Sequence, residues 1–386
     1  NPLNPAAYSL TPRQGFLFDF GVEGVNFYNR QQKYADGAQT TSRTSYNTFN
    51  FHDIAFQLPL ARRLGLGFSL TPYSSVGYRV SADEQSDDVW GNIGRVQYLY
   101  AGEGDLTEVK LGIGWEVVKR VSIGVAAQYY WGDIERTYQT VVSNNIVNGG
   151  SVNTVTGTDS YGISRIKMQL GLQADLIQSE RQVLTLGATY DMGGNLRPSV
   201  NQTVVNGDIY GTVVRGDTTR MALKLPVQLG VGLYYQNAKI AAGVDYIYQN
   251  WENNESPKSV PGAVNVAYKN TNTVKLGFEY TPNRMDIRNY LKRWSYRVGF
   301  RYGTYYQTFE GKTLSQYAVT AGFGMPVRFL GRSSIDFGVE FGQRGNDSPL
   351  RIDNRQIGLV RQRYVKFSLG LTLFGEDSWF VRYKYD

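Results

Sequence analysis

Apolar and polar residues alternate with a period of two over unusually long stretches of this chain. Val365, Phe367, Leu369, Leu371 and Leu373 share one face of a predicted strand, and Lys366, Ser368, Gly370 and Thr372 share the other. The same pattern places Thr107, Val109, Leu111, Ile113, Trp115 and Val117 opposite Glu108, Lys110, Gly112, Gly114 and Glu116. It recurs from Met221 to Leu233, with Lys224, Pro226, Gln228, Gly230 and Gly232 on the second face. Strands of a soluble sandwich are usually about 5–6 residues. Runs of ten or more residues with one fully apolar face match the roughly 9–11 tilted residues that cross a bilayer.

The connections point the same way. Tight turns fall at Ala61-Arg62-Arg63, Val118-Lys119-Arg120, Gln178 to Arg181, Gln236-Asn237-Ala238 and Gly331-Arg332-Ser333, with a longer turn from Thr281 to Arg293. Polar loops are predicted around 29–45, 81–105, 138–160, 201–218, 252–270, 310–313 and 344–356. Six turns and seven loops between consecutive strands give fourteen. The fold class is therefore an all-β transmembrane antiparallel barrel. Membrane barrels keep their short turns on the periplasmic side, so the expected location is the bacterial outer membrane, integral, with both termini periplasmic. We divide the chain into a short N-terminal plug segment at 1–14, the barrel at 15–374 and a C-terminal extension at 375–386. In the long turn, Met285, Ile287, Tyr290 and Leu291 predict a short helix capping the barrel floor, or a docking site for a partner.

Composition fits this reading. Among 386 residues, 41% are hydrophobic and 14% aromatic, with 29 Tyr, 43 Gly and no Cys, while the mean hydropathy is −0.36. A membrane barrel needs aromatics at two interfaces and small residues on a crowded inner wall. No apolar stretch is long enough for a transmembrane helix, and no charged-then-apolar segment opens the chain, as expected of a mature protein. The net charge of +7 is scattered over turns and loops, which gives nucleic acid no continuous footprint.

Two short stretches carry a family resemblance. Asn4-Pro5-Ala6 stands just before the first strand, and Gly67 to Tyr78 includes Pro72-Tyr73-Ser74-Ser75. Both resemble the FadL-type outer-membrane transporter family. That resemblance implies fourteen strands, a plug at Asn4, Pro5 and Ala6 inside the barrel, and a break in the third strand. Proline cannot donate to the strand ladder, so Pro72, Tyr73, Ser74 and Ser75 are the candidate lateral opening. The chain's close, Trp379 to Asp386, resembles Bacteroidetes members of the family, some of which serve protein secretion or assembly.

The candidate chemistry of the interior is a lumen charge network that includes Glu108, Lys110, Arg165, Lys167, Arg297, Arg301 and Glu340, whose charges should pair. No catalytic constellation is read. The single His, His52, lacks motif partners and is given a structural role. Asp83, Glu84, Asp87 and Asp88 read as a solvated acidic loop, and no metal or cofactor is assigned. Tyr98, Tyr100, Tyr129, Tyr130, Trp131, Trp294, Tyr302, Tyr305 and Tyr306 read as interfacial girdle residues. Two functions follow as expectations for a chain read as no enzyme. One is passive transport of a hydrophobic compound with lateral exit through the wall. The other is a non-transporting barrel subunit of an outer-membrane assembly or secretion complex. The expected partners are outer-membrane lipid and lipopolysaccharide, a hydrophobic small-molecule ligand, and proteins of an envelope complex, without nucleic acid.

Overall fold

The computed structural model describes residues 3–11, 15–35, 38–84, 87–143, 152–206, 213–215, 219–220, 224–252, 266–309, 311–327, 333–352 and 355–376. Fourteen antiparallel strands form the wall. They are β1 (Gly15–Ala35), β2 (Ala38–Ala61), β3 (Leu64–Asp83), β4 (Arg95–Val118), β5 (Val121–Ser143), β6 (Val152–Gln178) and β7 (Gln182–Asp191, resuming at Ser199–Asn206). The remainder are β8 (Val227–Asn237), β9 (Ile240–Asn250), β10 (Thr271–Tyr280), β11 (Ser295–Phe309), β12 (Lys312–Val327), β13 (Ser333–Arg344) and β14 (Val360–Glu376). The barrel closes where β1 pairs with β14, from Gly15 opposite Glu376 to Gln31 opposite Val360. Closure leaves neither the first nor the last strand as a sheet edge, which a bilayer cannot solvate.

Register sorts the side chains into two surfaces. Cross-strand neighbours share a face, so Leu111 with Phe68, Ile113 with Leu66 and Trp115 with Ile123 build one apolar outer row after another. Leu111, Ile113 and Trp115 are about half exposed, at 51%, 43% and 50%, as lipid-facing side chains must be when no lipid is counted. Trp115 marks the short-turn edge of this belt, and Tyr129 and Trp131, stacked at 5.8 Å, mark the other.

Several loops expected from the sequence are strand. Residues 29–35 and 38–45 form the end of β1 and the start of β2, and β5 and β6 extend through 143 and from 152. Beyond the bilayer both faces meet water, so the apolar alternation stops although the backbone ladder continues. The Thr, Ser, Asn and Tyr residues there remain compatible with pleated structure. Asp87 and Asp88 open a six-residue helix, α1 (Asp87–Asn92).

The long turn also differs. It holds only a 3-10 turn at Tyr290–Arg293, and Met285 and Ile287 are 83% and 94% exposed. The segment does not cap the floor. Tyr290 donates to the carbonyl of Pro326 at 2.8 Å, and Trp294 stacks on Phe323 at 4.9 Å, so it lies against the base of β11 and β12. Asp286 accepts backbone N–H bonds from Asn289 and Arg288, which hold its carboxyl below the usual carboxylate range. Gly331 and Arg332, part of a predicted turn, and the extension beyond Glu376 lie outside the described residues, as do 144–151, 207–212 and 253–265.

Candidate functional site

Three features give the interior its character: a docked N-terminal segment, a polar layer across the lumen, and a seam in the wall. The N-terminal segment is a 3-10 helix, Pro5–Leu10. The Asn4 side chain accepts from the Ala6 N–H at 3.0 Å, and Pro5 follows at the first helical position, where a missing N–H costs nothing. The Asn4 amide also donates to the carbonyl of Leu172 in β6 at 3.1 Å, and the Ser9 hydroxyl bonds that of Ser122 in β5 at 2.8 Å. Ala6 and Tyr8 are almost completely buried.

Their burial depends on a bare wall. Gly65 and Gly67 of β3, Gly112 and Gly114 of β4, Gly124 of β5 and Gly171 of β6 form the surface under Asn4, Pro5 and Tyr8. A Cβ added at Gly114 would come within 2.5 Å of the Pro5 carbonyl oxygen, and one at Gly112 within 2.9 Å of the Tyr8 ring. Such contacts are far inside van der Waals separation. The wall glycines, which the sequence showed only as small residues on the inner face, are a cradle shaped for Asn4-Pro5-Ala6 and Tyr8.

Above the cradle lies the polar layer. Lys110 sits 3.4 Å from Glu108, with side-chain exposures of 7% and 9%. Gln128 donates to Glu108 at 3.5 Å and to Asp191 at 3.2 Å. Gln228 donates to the other oxygen of Asp191 at 2.9 Å, and Gln249 to Gln228 at 2.7 Å. Thr271 and the Trp251 indole both donate to Gln249. This chain runs from β4 to β10. Tyr73 packs edge-on against Tyr130 at 4.8 Å beside it. Tyr130 therefore faces the lumen, and Tyr306, stacked on Trp251 at 4.1 Å, joins the same aromatic set. Neither serves the girdle, because each sits on the inward parity or at a register break of its strand. Tyr98 and Tyr100 lie on the projecting part of β4, beyond the belt.

Arg165 and Lys167 take different partners from those a purely ionic network predicts. Between Asp191 and Ser199 the chain leaves the wall and turns inward. Arg165 donates to the Leu196 carbonyl at 3.0 Å, and Lys167 stands over the Tyr130 ring at 5.8 Å. Leu196 packs with Leu106 and Ile163, forming the only cluster of buried apolar residues among those described. An inward excursion supplies a carbonyl where periodicity alone promises only another charge.

Across the lumen from the cradle, a cavity of about 810 Å³ opens towards the short-turn side. Charged side chains stand on its wall among apolar ones: Arg297 bridges Glu279 at 2.8 Å and Asp336, and Asp19, Asp245 and Lys275 line it beside Leu276, Phe278 and Val298. Nearby, Arg301 pairs with Glu340 at 2.7 Å, and Tyr364 donates to that carboxylate at 2.6 Å. His52 also lines this cavity, with Nδ1 2.7 Å from Asp53 and Nε2 4.0 Å from Glu23.

The seam separates β2 from β3. Their ladder runs only from Ala61 opposite Leu64 to Ile54 opposite Leu70. Beyond it β2 pairs with β1, and β3 with β4. Each strand bulges just there: the β1–β2 register shifts where His52 is passed over, and the β3–β4 register shifts between Pro72 and Ser74, passing Tyr73. Bulges increase local twist, and Pro72 has no N–H to offer. Two bulges facing each other drive the strands apart.

A closed fourteen-stranded barrel with an internal N-terminal segment has the fold of the FadL-like outer-membrane barrels. The structure resembles a FadL homologue of Pseudomonas aeruginosa (TM-score 0.64, 13% identity, covering 96% of this chain and 92% of the other). It also resembles the Pseudomonas putida toluene transporter TodX (0.60, 16%, 97% and 92%) and the monoaromatic hydrocarbon channel CymD (0.58, 12%, 96% and 91%). Compared with curated protein sequences the chain has no match. The family profile described as BamG matches residues 1–386, so the chain belongs to the BamG family.

Proposed function

We propose that this barrel is a closed, non-transporting subunit of an outer-membrane protein assembly complex, with its short turns and both termini in the periplasm. The observation that carries this reading is the interior: Asn4, Pro5, Ala6 and Tyr8 seated in the glycine cradle as a fixed plug, beneath a hydrogen-bonded layer from Lys110 to Thr271. Membership of the BamG family supports it. The cavity across the lumen carries both signs of charge, from Asp19, Asp245, Glu279 and Asp336 to Lys275 and Arg297. Mild extraction of the native protein followed by mass spectrometry tests the reading. A stoichiometric envelope complex is expected; a solitary barrel retaining an apolar compound sinks it.

The seam favours a second reading, passive transport of hydrophobic compounds with lateral exit beside Pro72, Tyr73, Ser74 and Ser75. Continuing the β2–β3 ladder by one step would pair Asp53 with Thr71. If compounds leave by the seam, oxidising a D53C/T71C variant should abolish uptake of toluene, the compound named for TodX, and reduction should restore it. In a closed scaffold, uptake stays at background in both states.

A further inference from the structure

We infer that the barrel carries a binding site for the phosphate groups of an outer-leaflet glycolipid, formed by Arg30, Arg43, Arg361 and Arg363 on the lipid-facing side of β1, β2 and β14. The inference assumes that the long-loop side faces outward, as proposed above.

The register defines the site. On this part of the wall the outward rows climb from Phe49, Gly24 and Phe367 to Asn47, Asn26 and Val365. The next row holds Ser45, Tyr28, Arg363, Gln343, Tyr317 and Tyr302. Tyr28, Tyr317 and Tyr302 are 51%, 44% and 47% exposed, an aromatic row at the height where tail meets headgroup. One step higher, Arg43 stands opposite Arg30, and Arg30 opposite Arg361. Three guanidinium groups thus occupy adjacent places in one cross-strand row, with Arg363 directly beneath.

Like charges placed directly opposite each other destabilise a sheet. Among the described residues a single carboxylate answers them: Asp347 lies 3.4 Å from Arg30 and 3.6 Å from Arg361. Arg363 is oriented by Gln343 at 3.0 Å, and Arg43 forms no ion pair among the described residues. The patch keeps an excess of positive charge beside aliphatic and aromatic surface. Guanidinium forks match phosphate oxygens in geometry and charge, and an amphiphile's tails would continue down over Val365 and Phe367. An anion with an attached apolar tail satisfies both halves of this surface; a free anion satisfies one.

The test uses the full-length detergent-purified barrel and native mass spectrometry with four probes. These are a bisphosphorylated lipid A, the same glycolipid without phosphates, phosphatidylglycerol and inorganic pyrophosphate. We expect the bisphosphorylated lipid to be retained at least tenfold more tightly than the other three, and an R30Q/R43Q/R361Q/R363Q variant to lose at least tenfold of that affinity. Equal retention of the dephosphorylated glycolipid by the native barrel overturns the proposal without any variant. Equal retention of phosphatidylglycerol or pyrophosphate also overturns it, the first assigning a general anionic-lipid surface and the second a free-anion site. Unchanged affinity in a variant whose heat-modifiable migration shows a folded barrel overturns the placement of the site.

Discussion

Replacing Gly114 and Gly124 by valine is expected to evict the N-terminal segment from its cradle while leaving the barrel intact. Both positions face the lumen, and a Cβ at either one collides with the Pro5 backbone. Backbone cannot rotate away as a side-chain end can, so the segment must leave. Valine is a good strand residue, and the wall itself loses nothing. The stake is the burial of Tyr8, at 1% exposure, and of Ala6, at 0%. Removing a buried aromatic costs about 3–5 kcal/mol, so the docked population should fall by roughly a hundredfold or more. The chain has no Cys, which makes a single S9C a clean reporter. Its maleimide labelling should accelerate about a hundredfold in the valine background. A rate unchanged from the native cradle would mean that the segment is not held there. Conductance measured on the same variant then tells whether the segment or the polar layer above it seals the lumen.

The second large effect lies in that layer. Lys110→Met is expected to cost about 3–5 kcal/mol of barrel stability, because it strands Glu108 as an uncompensated charge in a site nearly closed to water. Gln128, at 3.5 Å, and the Tyr130 hydroxyl are neutral and cannot replace the ammonium group. The double variant K110M/E108L should recover most of the loss, since an apolar pair of similar volume removes both desolvation penalties. The measurement is the temperature at which the compact, heat-modifiable form is lost on unboiled gels. Single and double variants melting together would show that Glu108 and Lys110 do not depend on each other.

Both experiments probe residues whose types were plain in the sequence but whose partners were not. Glu108 and Lys110 are two apart on a strand, so periodicity alone places them on the inner face together. Gln128 and Asp191 could not be assigned to the same layer without the registers of β4 with β5, β5 with β6 and β6 with β7. Arg165 and Lys167 have the same periodicity, yet one binds a backbone carbonyl and the other an aromatic ring. The inward turn after Asp191 decides that, and no local propensity announces it. Gly112 and Gly114 were visible as small inner-wall residues; that they join Gly67, Gly124 and Gly171 against one short segment is a fact of three dimensions.

The barrel, its fourteen strands and the lipid-facing side of β4, β8 and β14 were legible in the sequence, because a bilayer imposes a period of two and a minimum length that hold strand by strand. The sequence also marked Pro72 as a weak point, since a missing N–H is a property of the residue itself. Where the wall parts is visible only in three dimensions, because the seam needs the bulge at Tyr73 to meet the bulge at His52 on a neighbouring strand. The tertiary structure likewise decided that the loops predicted at 29–45 and 138–160 are largely strand. Outside the membrane both faces of a strand are wet, the hydrophobic pattern falls silent, and cross-strand hydrogen bonding carries the structure on.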